Sequence, residues 1–256
     1  MLSLRQALSL DTIRNMGASY TNLRSLSFDG TDEMLSIPSA AISPNTSGGN
    51  RGWSISFWLK NDSGTKTQQI MAIDSGSGRE FKCVMRFNGN VKFTLIGNNN
   101  AGITQDLNIN TDLADSQWHH FVFIYDLGSA NTSLIAYVDN VLHSQAQGNA
   151  TYSSAGTWAA ISNTGGALEI AKEGGSFGQI KFDELSVFDN VLTSGNVSAI
   201  YNGGETADVS SIAYLTGWWR MGDGATFPTI PDASSNSNNA TMDNMESGDI
   251  ITDVPS

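Results

Sequence analysis

The stretch SQWHHFVFIYD, residues 116–126, decides the fold, because it puts two of the chain's three histidines at the head of an apolar run. Successive side chains of a β-strand point to opposite faces, so His119 and His120 point away from each other if this run is a strand. The two imidazoles then cannot bind one metal ion together, and His143 would have to join from another strand. We interpret His120 as a hydrogen-bonded core residue and expect no metal site here.

The same two-residue alternation recurs in both directions along the chain. WSISFWLK, residues 53–60, puts Ile55 and Phe57 on one face and serines on the other. EFKCVMRF and NVKFTLIG are joined by Asn88-Gly89, a pair typical of a tight hairpin turn because both positions need a positive φ. Roughly a dozen such runs, separated by Gly, Asn, Asp and Ser, predict an antiparallel sandwich or barrel. The absence of βα alternation disfavours a parallel sheet.

Only one helix is convincing within this region. TSGNVSAIYNGG, residues 193–204, offers Thr193 or Ser194 as the N-cap and Gly203 as the C-cap. Val197, Ile200 and Tyr201 then lie on one face. The rest of this region has the alternating pattern of short strands, so the sequence predicts an all-β domain with a single short helix.

Composition excludes several classes of function. The chain has 256 residues, a formal net charge of −12 and a single cysteine, Cys83, so neither an intramolecular disulfide nor a cysteine-based metal site can form. No basic stripe is present, so we expect neither nucleic acid nor an anionic membrane surface as a partner. No apolar run is long enough to cross a bilayer, and residues 1–17 lack the features of a signal peptide. We expect a soluble protein that, if it works outside a cell, leaves by another route such as lysis.

Five stretches together resemble the laminin-G-like, concanavalin A-like lectin/glucanase jelly rolls over about residues 24–205. Trp118 and His120 match the family's Trp-x-His-Val strand, and Asp183 and Glu184 match its acidic signature, while Asn140 stands where glycine is usual. The resemblance implies an antiparallel jelly-roll β-sandwich with one short helix and an N-terminal arm. The stretches are SLSFDGTDEMLSIP, WSISFWLK, QWHHFVFIYD, LIAYVDNVL and GGSFGQIKFDELSVFDNVLTSGNVSAIYNGG.

The stretch LTGWWRMGDGATFPTIPDASSNSNNATM resembles the family's first strand and its Asp-x-Ser-Gly-Asn-x-Asn loop, yet here it follows the helix. It either begins a truncated second copy or closes the sandwich as a permuted strand. We favour the permuted strand, because a lone Trp218-Trp219 strand would expose a large apolar edge. The expected organisation is an arm over residues 1–22 and one domain over 23–256 that segment 212–245 closes. This arrangement also resembles that of structural proteins of tailed phages, in tail fibres or head appendages, especially in marine phages.

The chain is not expected to be an enzyme. Retaining glycoside hydrolysis needs two carboxylates about 5 Å apart across the bond, and the E-x-D-x-x-E strand of catalytic relatives is absent. Asp183 and Glu184 are adjacent on a strand, so we expect their side chains to face opposite ways. No Gly-x-Ser-x-Gly elbow, P-loop or HExxH motif is present.

Two kinds of binding site remain as candidates. Structural calcium is the one cofactor that the sequence suggests, because Asp-rich loops supply the oxygen ligands it prefers, although Asx-turns explain the same aspartates and are the interpretation that we favour. A glycan site needs an aromatic face flanked by amides, although core packing explains the same aromatics. The candidates are Asp29, Asp32, Asp223 and Asp232 for calcium, and Trp158, Phe177, Asn98 and Asn99 for a glycan.

The leading hypothesis is a non-catalytic lectin-like module that recognises a glycan or cell surface, as part of a virion fibre, appendage or other extracellular assembly. The alternative is a purely structural virion assembly or decoration protein that binds no glycan. A glycoside hydrolase is a more distant alternative. We expect a homo-oligomer whose arm docks to other assembly proteins, and no membrane insertion.

Overall fold

The structure is a computed structural model. It describes residues 20–38, 52–62, 66–75, 78–87, 89–97, 102–107, 113–126, 134–144, 147–155 and 164–256, with backbone only at 75, 78, 102–107, 154 and 155. Most of the expected arm therefore lies outside the described residues.

The described chain forms short strands and one α-helix. The strands are β1 (Ser25–Ser27), β2 (Met34–Ile37), β3 (Trp53–Lys60), β4 (Gln68–Ser75), β5 (Gly78–Met85), β6 (Val91–Ile96), β7 (Gly102–Leu107), β8 (Trp118–Tyr125), β9 (Leu134–Val138), β10 (Val141–His143), β11 (Ala150–Ala155), β12 (Leu168–Ile170), β13 (Lys172–Glu173), β14 (Ser176–Phe177), β15 (Lys181–Phe188), β16 (Leu215–Trp219), β17 (Thr229–Ile230), β18 (Ala240–Asp243) and β19 (Ile250–Ile251). The helix, α1, spans Ser194–Tyr201.

The strands form two antiparallel sheets, which confirms the predicted sandwich. Sheet A runs in the order β10-β9-β8-β3-β15-β1-β19, and β16 also pairs with β15. Sheet B runs β11-β7-β6-β5-β4-β12-β2-β18-β17, and β13 and β14 form a separate hairpin. The predicted hairpin is present, because β5 pairs with β6 and Gly89 has φ 78°. All ladders between named strands are antiparallel.

The core between the sheets follows from the alternation read in the sequence. Phe57 on β3 lies opposite Phe121 on β8, with ring centroids 5.4 Å apart, and it stacks on Phe182 of β15 at 5.1 Å. Phe93 of sheet B stacks on Phe123 of sheet A at 4.3 Å and so joins the two layers. These side chains are fully buried, so an aromatic stack ties the centres of both sheets together.

Sheet A is also covered on its second face, by α1 and the segments around it. Thr193 caps the helix by accepting a hydrogen bond from the Asn196 N–H, as predicted, but the C-cap is Asn202 in the left-handed region rather than Gly203. Asparagine tolerates that conformation, so the helix ends one residue earlier than expected. The buried members of this second apolar cluster are Val122, Ile124, Phe188, Leu192, Val197, Ile200, Val209 and Trp218. In the described residues no helix is long and apolar enough to cross a membrane.

The segment after α1 contributes to both sheets. β16 pairs with the second half of β15 and β1 with its first half, so these two strands lie end to end along one side of β15. β18 pairs with β2 and β19 with β1. Trp219 is buried in the main core, whereas Trp218 is buried in the second cluster, so neither indole forms an exposed apolar edge.

We expect Phe57→Ala to reduce the free energy of unfolding by about 3–5 kcal/mol, because it leaves a cavity where three aromatic rings meet. Urea denaturation followed by fluorescence measures the change. Phe87→Ala is the matched control, because Phe87 is 66% exposed and its loss should change stability by no more than about 0.5 kcal/mol. Equal effects of the two substitutions would contradict this picture of the core.

Candidate functional site

The three histidines do not converge. His120 is fully buried on the face of sheet A beneath α1, and its Nε2 lies 2.7 Å from Ser56 Oγ. His119 lies at the strand end, with its Nδ1 2.7 Å from Asp139 Oδ2. His143 Nδ1 lies 3.4 Å from the Asn149 carbonyl oxygen. The interpretation of His120 as a hydrogen-bonded core residue is confirmed.

The surroundings of the two neighbouring histidines shift their pKa values in opposite directions. Burial lowers the pKa of His120 to about 3, against a weaker opposing effect of Asp139, so this ring is neutral at ordinary pH. Although burial opposes it, hydrogen bonds to Asp139 and Asp115 raise the pKa of His119. His120 is not placed as a base beside an exposed nucleophile, since its partner Ser56 is itself fully buried.

Asp183 and Glu184 face the same side of sheet A, which corrects the expectation that they point apart. The register between β15 and β3 shifts between Asp183 and Ser186, and Glu184 has φ 48°, so a β-bulge interrupts the alternation. Asp183 lies opposite Trp58, and Glu184 Oε2 accepts a hydrogen bond from Trp218 Nε1 at 2.6 Å. Both partners belong to the face that α1 covers.

This acidic pair anchors residues 20–24 rather than opening to solvent. Asn22 Nδ2 donates to Asp183 Oδ2 at 2.7 Å. Arg220 pairs with Glu184 and donates to the Thr21 carbonyl, and its guanidinium lies 4.6 Å from the centre of the Tyr20 ring. Burial, reinforced by repulsion from Glu184, raises the pKa of Asp183 well above its usual value. The pair is buried and occupied, so it cannot act on a substrate.

A solvent-open cleft of about 260 Å³ lies at the end of the sandwich where β1 ends and β15 begins. Its walls come from four separate parts of the chain, and they carry four carboxylates, one amide and one ammonium group. Such groups are ready to exchange hydrogen bonds with a polar ligand. The lining residues are Ser27, Phe28, Asp29, Glu33, Asp62, Gln179, Ile180, Lys181 and Asp249.

One lysine balances part of this negative charge. Lys181 Nζ lies 3.0 Å from Asp62 Oδ2 and 2.7 Å from Asp253 Oδ2. Although burial opposes it, these carboxylates raise the pKa of Lys181. Burial, with repulsion from Asp249 and other acidic neighbours, raises the pKa of Glu33 despite the hydrogen bond from the Asp29 N–H. The cleft thus keeps a positive centre within an acidic rim.

Asp253 connects three strand ends of sheet A beside the cleft. Its carboxylate accepts hydrogen bonds from Lys60 Nζ at 2.8 Å, Lys181 Nζ at 2.7 Å and Trp118 Nε1 at 3.0 Å. Burial alone would raise the pKa of Asp253, but these three donors hold it at about 2. The carboxylate joins the ends of β3, β8 and β15, so it stabilises the strand ends from which the cleft wall starts.

The four aspartates predicted for calcium are separated in the structure. Asp29 lines the cleft and its Oδ1 accepts from the Thr31 N–H, while Asp32 in the same loop is exposed. Asp223 accepts from the Leu23 N–H and from Arg220. Asp232 accepts from three backbone N–H groups, those of Trp218, Ser234 and Asn238. The described residues hold no group of three or more His, Cys, Asp or Glu side chains arranged for a metal ion.

Of the residues predicted for a glycan, only Phe177 lies in the described part of the chain. It is half-buried in the β13–β14 hairpin, opposite Lys172. Trp158, Asn98 and Asn99 lie outside the described residues. Apart from Asp29, the cleft residues were missed, because Asp62, Gln179, Lys181 and Asp249 meet only through long-range strand pairing and carry no local motif.

Two antiparallel sheets with an aromatic core between them define a concanavalin A-like β-sandwich. The chain belongs to the concanavalin A-like lectin/glucanases superfamily, whose laminin-G-type sequence model matches residues 29–198. No curated protein sequence matches the chain.

Several solved structures are similar to the chain at low sequence identity, and the first of the following shares its fold. A Bacteroides ovatus protein proposed to bind carbohydrate aligns over 92% of this chain with a TM-score of 0.59 and 14% identity, and the chain spans 62% of that protein. A heptameric pentraxin of Limulus polyphemus aligns over 72% of this chain and 83% of its own, with 18% identity and a TM-score of 0.47. Domains LG4-5 of mouse laminin α1 align over 69% and 44%, with 10% identity and a TM-score of 0.48.

We expect His120 to make the protein sensitive to mild acid. A histidine whose pKa falls on folding stabilises the native state above its unfolded pKa and loses that contribution as the pH falls below about 6.5. Between pH 7 and pH 5 the loss is about 2 kcal/mol, and His120→Gln should remove it while keeping a polar partner for Ser56. Urea denaturation at both pH values measures the difference.

His119→Gln is the matched control for that substitution. The pKa of His119 is raised in the folded state, so His119 adds stability as the pH falls, and its loss should steepen the acid sensitivity. If the free energy of unfolding of His120→Gln depended on pH as strongly as that of the unsubstituted protein, burial of the neutral His120 imidazole would not be the cause of the acid sensitivity.

We expect Asp232→Ala to reduce the free energy of unfolding by about 2–4 kcal/mol, because three backbone N–H groups lose their acceptor. The loss should be the same with added calcium and with EDTA. Asp208→Ala is the control, since Asp208 is an exposed aspartate that accepts only from Ser210. If EDTA lowered the stability of the unsubstituted protein but left that of Asp232→Ala unchanged, Asp232 would instead be identified as a calcium ligand.

Proposed function

We propose that the chain is a non-catalytic lectin-like module that binds a glycan or cell-surface receptor through the rim cleft. The observation that carries the proposal is the solvent-open cleft lined by Asp29, Asp62, Gln179 and Lys181 in a chain of the lectin/glucanase superfamily. Sugar hydroxyls both donate and accept hydrogen bonds, and a wall of carboxylates, an amide and an ammonium group supplies partners for both.

The cleft favours a single terminal sugar over a long segment of polysaccharide. Its volume of about 260 Å³ is below the range of about 300–1,000 Å³ that is typical of sites for drug-sized ligands. Among the described lining residues the one aromatic is Phe28, which is 1% exposed and presents no ring face for stacking. Binding therefore depends on polar contacts, and we expect a weak affinity per site that is raised by several copies acting together.

The positions of the carboxylates support binding over hydrolysis. Asp62 is paired with Lys181, and Asp29 Oδ1 accepts from the Thr31 N–H, so both carboxylates already have partners within the protein. Glu33 is only 9% exposed. Asp183 and Glu184 lie under Tyr20 and Trp218, away from the cleft. These positions do not support a pair of accessible carboxylates that could act as the acid and the nucleophile of a glycoside hydrolase.

The setting that we propose is a virion fibre, appendage or other extracellular assembly. Residues 20–24 are fixed to the body through Asp183, Arg220 and Asp223, so whatever precedes them leaves from a defined point on the outer face of sheet A. This anchoring favours a docking role for the arm over residues 1–22. It is also the observation that favours the second candidate, a structural assembly protein that binds no glycan.

Glycan binding is tested on a glycan array that includes marine and bacterial polysaccharides, followed by titration calorimetry of each hit. We expect Asp62→Asn combined with Gln179→Ala to weaken binding at least tenfold, because hydrogen-bond partners are lost on both walls of the cleft. Asp126→Asn is the control, since Asp126 is exposed at the opposite end of β8.

The outcomes separate the three candidates. An empty array would overturn the lectin proposal and leave the structural role, which deletion of residues 1–19 tests by the loss of assembly while the anchor at 20–24 is kept. Binding that the double variant leaves intact would place the site elsewhere. Release of reducing sugar from a bound polysaccharide would establish a hydrolase instead.

A further inference from the structure

Strand β11 is the outermost strand of sheet B on one side of the sandwich. It is six residues long and pairs with β7 in continuous register, from Ala150 opposite Leu107 to Ala155 opposite Gly102, without a bulge. In the described part of the chain no strand lies on its other side. An edge of this kind leaves every second backbone N–H and C=O group free to pair with another strand.

The strands that end the strand order of the two large sheets elsewhere, β10, β17 and β19, carry the protections that proteins use against such pairing. β17 is two residues long and lies between Pro228 and Pro231, which cannot donate to a ladder. β19 is two residues long and lies between Asp249 and Asp253. β10 is three residues long. β11 differs from all of them in being six residues long and regular, and within the described part of the chain it carries none of these protections.

Charge distinguishes this side of the molecule as well. β10 and β11, together with the described residues between them, contain no Asp, Glu, Lys, Arg or Pro. Residues 240–256 on the opposite side contain four acidic residues and no basic one. Two copies of a chain with net charge −12 repel each other, so the uncharged side is where they approach at the lowest electrostatic cost.

We propose that β11 pairs with β11 of a second copy about a twofold axis, joining the two nine-stranded sheets into one continuous antiparallel sheet. Antiparallel self-pairing is the arrangement in which one strand edge is complementary to itself, so it closes as a dimer. The exposed side chains of Thr151 and Ser153 meet those of the second copy on one face of that sheet.

Sheet A adds an apolar contact on the same side. The Tyr152 hydroxyl of β11 donates to the Leu134 carbonyl of β9 at 3.2 Å, so the neighbouring edge strand β10 lies beside β11. Val141 on β10 is 57% exposed and is covered when two copies approach along this side. The interface concerns assembly of the chain and does not rest on glycan binding.

The test is the mass of the full chain in solution, measured by light scattering after size exclusion and by sedimentation velocity across a dilution series. We expect twice the monomer mass of 27.3 kDa. Thr151→Lys combined with Ser153→Lys should raise the dimer dissociation constant at least tenfold, because lysines then oppose lysines when the twofold axis passes through the middle of β11, at residue 151, 152 or 153. Both side chains are exposed, so the fold should be kept, which circular dichroism checks.

Thr241→Lys is the matched control, since Thr241 is an exposed strand residue on the opposite side of sheet B, and it should leave the dimer unchanged. A monomer at every concentration would overturn the proposal, and so would a dimer that withstands both lysines. Loss of the dimer on deleting residues 1–19 alone would assign the interface to the arm. An open series of higher oligomers would exclude closed twofold pairing.

Discussion

The architecture depends on one constraint, the alternation of side chains along the three central strands of sheet A. Phe57, Phe121 and Phe182 all point into the core, where their rings stack, because β3, β8 and β15 are in register. The same register sends Ser56 and His120 to the other face, where α1 and its flanking segments exclude water. A shift by one residue would put aromatic rings under the helix and the imidazole into the aromatic stack.

This constraint is also why so much of the fold could be predicted. The alternation of WSISFWLK and QWHHFVFIYD specifies strands and faces from local sequence alone, and Asn88-Gly89 specifies a hairpin. The Asp183–Glu184 pair was predicted wrongly, because a bulge at Glu184 breaks the alternation and the sequence carries no signal for a bulge at a non-glycine residue. The helix end was off by one residue, because Asn202 adopts the left-handed conformation that glycine was expected to supply.

The cleft lay beyond sequence reasoning for a different physical reason. Its walls join residues that are far apart in the chain, such as Asp29, Asp62 and Asp249, and only the order of strands in the two sheets brings them together. Asp232 shows the converse. Its position in an Asp- and Asn-rich loop fits a calcium ligand or the Asx-turn that we favoured, and in the structure its carboxylate accepts from the backbone N–H groups of Ser234 and Trp218. A loop that binds a metal ion and a loop whose aspartate accepts backbone hydrogen bonds can have the same composition, and only the contacts in the structure distinguish them.

The anchoring of residues 20–24 determines how a mechanical load enters the molecule. Tension on the preceding segment passes through Asn22 to Asp183 and through Thr21 to Arg220, and so reaches β15, which pairs with strands on both sides. The pull is therefore shared by the middle of sheet A instead of peeling a strand from its margin. For a module tethered through that segment, as we propose, a load would therefore act on β15 and the strands paired with it together.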